Sequence, residues 1–136
     1  MSFRDLRRLP IISIFHNPSC SKSRATLSLL QNVLNESSTA KPPFSLDIVD
    51  YTQNPPTKEQ LQTVIDYLGL KDASAQNILR PDAPKVSSIA ELVKLVTNDA
   101  SVLERPIVVD WDAGKAVIAR PPEKVEKLIQ HRVQNA

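Results

Sequence analysis

Apolar positions along this chain switch between two spacings, and the switches divide it into elements. Ile11 to Phe15 is a short, nearly continuous apolar run, which predicts a buried central strand. From Lys22 to Leu34 the spacing becomes helical, with Leu27, Leu30 and Leu34 beside Leu29 and Val33 in one broad stripe. Asn35 to Pro43 is polar and contains proline, the composition of a loop. Phe44, Leu46 and Ile48 then alternate, and Val49 and Tyr51 add β propensity, so a second strand is expected over 44–51.

The middle of the chain reads as helical. Asn54-Pro55-Pro56 breaks the strand, and Thr57 with Gln60 three residues on has the spacing of a capping box. Leu61, Val64, Ile65 and Leu68 follow at helical intervals, and Gly69 is placed to stop them. Ala73 to Arg80 predicts a short helix ended by Pro81. Ser87 or Ser88 caps another, with Ile89, Leu92, Val93 and Val96 on one face. Ile107 to Val109 returns to strand character, Asp112-Ala113-Gly114 is a hairpin turn, and Lys115 to Ala119 is the return strand. Pro121-Pro122 opens a last helix with Val125, Leu128, Ile129 and Val133 as its apolar face.

This order, β-α-β, helices, then β-β-α, predicts an α/β domain with a four-stranded mixed sheet and flanking helices. It is the element order of thioredoxin-like folds, here with an all-helical insert over approximately 57–103. A single domain over 1–136 is expected at this length.

Composition narrows the function classes. With 41% apolar and 24% charged residues the chain reads as a water-soluble globular domain. A net charge of +2, with scattered lysines and arginines, gives no footprint for nucleic acid. No segment is apolar enough to span a membrane. One cysteine excludes an intramolecular disulfide and a CxxC metal site, and fits a reducing compartment. Arg4, Arg7 and Arg8 make the N-terminus basic, but Asp5 and Pro10 weaken its resemblance to a presequence.

That cysteine, Cys20, sits where the first strand gives way to the first helix. It is either a small buried hydrophobe or a reactive thiol. The helix start and the neighbouring Lys22 and Arg24 favour the thiolate. His16, four residues earlier, either makes an ordinary strand-end hydrogen bond or tunes that thiolate. Arg80, Arg105 and Arg120 stand at element junctions. Each is a solvated surface charge unless the fold brings them together, in which case they would grip an oxyanion. The architecture also predicts a cis Arg105-Pro106 bond just before the third strand.

Several blocks together resemble the glutaredoxin-coupled arsenate reductase family. They are His16-Asn17-Pro18-Ser19-Cys20 followed by Ser23-Arg24, Ile78-Leu79-Arg80, Glu104 to Val109, and Gly114 to Glu123. The resemblance implies a thioredoxin-like fold with Cys20 as nucleophile and His16 and Ser23 supporting it. It implies that Arg80, Arg105 and Arg120 hold the oxyanion. It further implies no bound cofactor or metal, with glutathione as co-substrate and glutaredoxin as the partner that regenerates the thiol. Pro81 alters the setting of Arg80, and Ser23 replaces the second cysteine of related redox-sensing regulators.

A fainter similarity, at Met1-Ser2-Phe3 and Val109-Asp110-Trp111, is to a fungal group of mitochondrial redox proteins, which implies a mitochondrial location, with the cytoplasm as alternative. The expected function is reduction of small toxic molecules, arsenate among them. A general glutathione-linked redox protein and a non-catalytic thioredoxin-like interaction module are the competing readings.

Overall fold

The computed structural model describes residues 8–36 and 41–135. The N-terminal arginines Arg4 and Arg7 and the start Met1-Ser2-Phe3 lie outside them. Strands β1 (Ile11–His16), β2 (Ser45–Asp50), β3 (Ile107–Asp110) and β4 (Lys115–Ile118) form one sheet in the order β2-β1-β3-β4. β1 runs parallel to β2 and antiparallel to β3, and β3 runs antiparallel to β4. Helix α1 (Ser21–Glu36) connects β1 to β2. Helices α2 (Lys58–Leu68) and α3 (Ile89–Asn98) and two 3₁₀ segments fill the insert, and α4 (Glu126–Gln134) closes the described chain. The fold is thioredoxin-like.

Alternation along β1 and β3 divides the core between the two faces of the sheet. Ile12, Ile14 and Val108 pack with Leu30 of α1, Val125, and Leu128 and Ile129 of α4. Phe15, Ile107 and Val109 pack on the other face with Leu61, Val64 and Ile65 of α2 and Leu92, Val93 and Val96 of α3. β1 and β3 are therefore covered on both sides, which is why they read as continuous apolar runs.

Local signals are satisfied as the sequence predicts. The Thr57 hydroxyl accepts from Gln60 N–H, and the Gln60 side chain accepts from Thr57 N–H. Gly69 ends α2 with φ of 71°, a conformation costly for a residue with a Cβ. Ser88 rather than Ser87 caps α3. The Arg105-Pro106 bond is cis, as expected, and Arg120-Pro121 is cis as well.

Three expectations change. The segment expected as a helix over Ala73 to Arg80 is a 3₁₀ segment over Asp72–Ile78. Ile48 is exposed, because β2 is an edge strand paired only with β1. The last helix begins with a 3₁₀ turn over Pro122–Val125, and α-helix starts only at Glu126. Val125, Leu128 and Ile129 are buried as expected, and helical spacing continues that face to either position 132 or position 133. Val133 is exposed, and Arg132 is buried in its stead. Its guanidinium makes a two-point ion pair with the fully buried Asp110 at the end of β3, at 2.8 and 3.2 Å.

Candidate active site around Cys20

Parallel pairing of β1 and β2 brings their C-terminal ends to one edge of the molecule, and antiparallel β3 starts there. The loop Asn17 to Cys20 leaves β1 at that edge. It is folded tightly: Cys20 N–H donates to the Asn17 carbonyl at 2.9 Å, and the Asn17 side-chain oxygen accepts from Ser19 N–H at 2.9 Å. Arg24 Nη1 donates to the Pro18 carbonyl at 2.9 Å, and its N–H donates to the Cys20 carbonyl at 3.0 Å, the opening bond of α1. Ser23 is fully buried, and its hydroxyl accepts from Asn17 N–H at 3.2 Å. Arg24 and Ser23 thus fasten the helix to the loop that precedes it.

Cys20 is half-buried at the N-cap position just before α1. Burial alone pushes its thiol pKa up. Hydrogen bonds from Ser23 N–H, the Arg105 guanidinium, Lys22 N–H and the Ser23 hydroxyl act the other way and win, lowering it to about 7. The thiolate occupies the acceptor position that a serine or aspartate fills at an ordinary helix N-terminus, satisfying amide groups that lack helical partners.

Two arginines from the far half of the chain meet this thiol. Arg120 Nη1 stands 3.8 Å from Cys20 Sγ and 3.0 Å from the Arg105 carbonyl. Glu104 holds Arg120 by an ion pair at 3.5 Å, and its carboxylate also accepts from Arg105 N–H at 3.3 Å. Arg105 Nη1 reaches the hydroxyl of Tyr51 at 3.4 Å, while its buried Nε has no hydrogen-bond partner among the described residues. The hairpin explains this convergence: Ile107 pairs with Ile118, so the residues flanking that pair lie side by side.

Arg80 and His16 stand differently. Arg80 pairs with Asp82 at 3.9 Å, and no hydrogen bond or ion pair among the described residues joins it to Cys20. Its backbone is nevertheless moored beside the loop that carries Arg105: Arg80 N–H donates to Val102 at 2.9 Å, and Glu104 N–H donates to Ile78 at 2.9 Å. His16 is buried at the end of β1, where its carbonyl accepts from Tyr51 N–H at 3.3 Å and its Nδ1 has no partner among the described residues. Tyr51 and Glu104 carry contacts to the arginines that the sequence did not reveal. Glu104 lies inside a recognisable block, but Tyr51 shows only as the last apolar residue of a strand pattern. Among the described residues no cluster of His, Cys, Asp or Glu could hold a metal ion.

Fold and site together define a thioredoxin-like thiol protein with one acidic cysteine facing two guanidinium groups. The family model described as "Protein of unknown function (DUF1687)" matches residues 3–119. An arsenate reductase of Neisseria meningitidis is 35% identical over 131 residues, covering 89% of this chain and 100% of the relative. One from Haemophilus influenzae is 34% identical, covering 87% and 98%. The solved structure of an arsenate reductase from Vibrio cholerae superposes with a TM-score of 0.69 at 29% identity, covering 88% of this chain and 98% of that one. The chain belongs to the arsenate reductase family.

Proposed function

We propose that this chain is a thiol oxidoreductase that reduces arsenate through Cys20, with glutathione and glutaredoxin as the external thiols. The observation that carries this reading is the thiol at α1, with a pKa of about 7, facing Arg105 and Arg120. A thiolate is the nucleophile, and at neutral pH about half of such a thiol is ionised. The two guanidiniums neutralise the oxyanion that would otherwise repel it.

The chemistry balances with two external thiols. The Cys20 thiolate attacks arsenic, and one arsenate oxygen leaves as water after protonation. Glutathione thiolate then attacks Sγ. The Sγ–As bond breaks with its electron pair passing to arsenic, which departs as arsenite and leaves a Cys20–glutathione disulfide. A second thiol, from glutaredoxin, attacks the glutathione sulfur and releases the Cys20 thiolate. In this scheme Cys20 is the nucleophile, and Arg105 and Arg120 hold the oxyanion. Ser23 and the helix amides stabilise the thiolate, and His16 braces the end of β1 that carries the loop. Arg80 serves as a third cation at the edge of the site.

The test is arsenite production from arsenate with glutathione and glutaredoxin, comparing wild type with Cys20→Ser. Cys20-dependent arsenite release is expected. Its absence from the folded wild-type protein would overturn the arsenate reading. A mitochondrial location is proposed on the sequence similarity alone; cell fractionation placing the protein in the cytoplasm would overturn it.

A further inference from the structure

Tyr51 follows the last residue of β2, and it is tied down on every side. It is 2% exposed and packs with Phe15, Leu61 and Ile107 in the core on the insert face. Its N–H donates to the His16 carbonyl at 3.3 Å, which fixes it to the end of β1. Asp50 accepts from Gln53 and Asn54 N–H through its carbonyl and from Thr52 N–H through its side chain, so the chain turns sharply just beyond Tyr51. The one polar atom of the ring, the hydroxyl, lies 3.4 Å from Arg105 Nη1. A buried phenol of this kind needs a hydrogen-bond partner, and the partner here is a guanidinium from a residue 54 positions away.

Besides Tyr51, the Arg105 guanidinium meets the Cys20 sulfur. No carboxylate pairs with its guanidinium among the described residues, because Glu104 spends its charge on Arg120. Its buried Nε has no hydrogen-bond partner among the described residues. A long side chain with no carboxylate to hold it samples several rotamers unless something selects one. The rigid group within reach is Tyr51.

We propose that Tyr51 is a positioning residue for the reaction. Its hydroxyl selects the Arg105 rotamer that faces Cys20 and keeps the remaining guanidinium N–H groups free for the substrate oxyanion. This inference rests on the reading of Cys20 as nucleophile and extends it to a residue that touches neither the thiol nor, by its ring, the site. The use of a neutral phenol is chemically specific. A carboxylate in its place would neutralise Arg105 and weaken its hold on both thiolate and oxyanion, whereas a phenol orients the cation and leaves its charge intact.

The test is Tyr51→Phe, which keeps the ring in the core and removes only the hydroxyl. Two readouts are needed: the pH dependence of Cys20 alkylation by iodoacetamide, and KM and kcat for arsenate. The expected result is an upward shift of the thiol pKa by about 0.5 unit and a roughly fivefold rise in KM with a smaller change in kcat, the scale of one lost hydrogen bond. Circular dichroism should match wild type. Both effects should vanish when Tyr51→Phe is made on top of Arg105→Ala, since the hydroxyl acts through that side chain. An unchanged thiol pKa in Tyr51→Phe, or the same shift persisting without Arg105, would overturn the proposal. If wild type reduces no arsenate, the substrate reading fails, while the alkylation arm still decides the link from Tyr51 through Arg105 to Cys20.

Discussion

Arg120 Nη1 stands 3.8 Å from Cys20 Sγ, although the two residues are 100 positions apart in the chain. The same guanidinium is braced by Glu104 and by the Arg105 carbonyl, so its place beside the thiol is fixed from behind. Replacing Arg120 by Ala should lower kcat/KM for arsenate by about 10–100-fold, the scale of one charge-assisted hydrogen bond. Glu104→Gln keeps the side-chain size but removes the ion pair, and a smaller loss of the same kind is expected. Steady-state kinetics on both variants check this; a larger loss from Glu104→Gln than from Arg120→Ala would contradict the arrangement.

The thiol pKa of about 7 makes a pH prediction. Alkylation of Cys20 should rise with pH about a midpoint near 7 and level off while a free cysteine is still titrating. Stability follows with a definite sign. The folded pKa is lowered, so ionisation favours the folded state as pH rises through 7 towards the range of an unfolded thiol, and this contribution is lost as pH falls through 7. Melting temperatures of wild type and Cys20→Ser, compared between pH 6 and pH 9, should therefore diverge in favour of wild type at the alkaline end.

Arg80 offers a contrast with Arg105. Its visible partner is Asp82, and its backbone, rather than its guanidinium, is what ties it to the Arg105 loop. Arg80→Ala should leave the Cys20 alkylation midpoint in place while weakening arsenate binding less than Arg105→Ala does. The alkylation midpoint and KM for arsenate decide this, and an upward shift of the thiol midpoint in Arg80→Ala would show that its charge reaches the sulfur.

The ion pair between Asp110 and Arg132 predicts a stability effect far from the chemistry. Arg132→Ala leaves a buried carboxylate without its partner, at a cost of about 3–5 kcal/mol. Replacing both residues with apolar ones, Asp110→Val with Arg132→Met, should recover part of that loss, short of the bond that Asp110 accepts from Ala113 N–H at 3.1 Å. Urea unfolding of the single and double variants tests it. Equal destabilisation in both would mean that the pair itself, and not the stranded charge, carries the energy.

Much of this fold was legible because periodicity, caps and turns are local. Thr57 with Gln60, Gly69, and the Asp112 to Gly114 turn each act over a few residues, and each appears where the pattern placed it. The fourth core position of the last helix was not legible: helical spacing from Leu128 and Ile129 allows 132 or 133, hydropathy favours Val133, and the fold buries Arg132 against Asp110. At the site, Cys20 announced itself by position, and Arg105 and Arg120 by their place at the ends of a hairpin. Tyr51 did not, because a tyrosine ending a strand looks the same whether its hydroxyl meets water or a guanidinium 54 residues on. Contacts of that separation depend on how the sheet is ordered, and no local pattern encodes them.

The four residues of β3 divide labour along their length. At its start, Ile107 pairs with Phe15 and Ile118 beside the thiol loop. At its end, Asp110 is locked to Arg132. Groups that interact with the sulfur and groups that anchor the fold therefore sit at opposite ends of one short strand, with Val108 and Val109 fully buried between them. Changes at the thiol end should consequently yield inert but well-formed proteins. A Cys20→Ser chain is thus a suitable decoy, able to compete for whatever approaches the sulfur without turning it over.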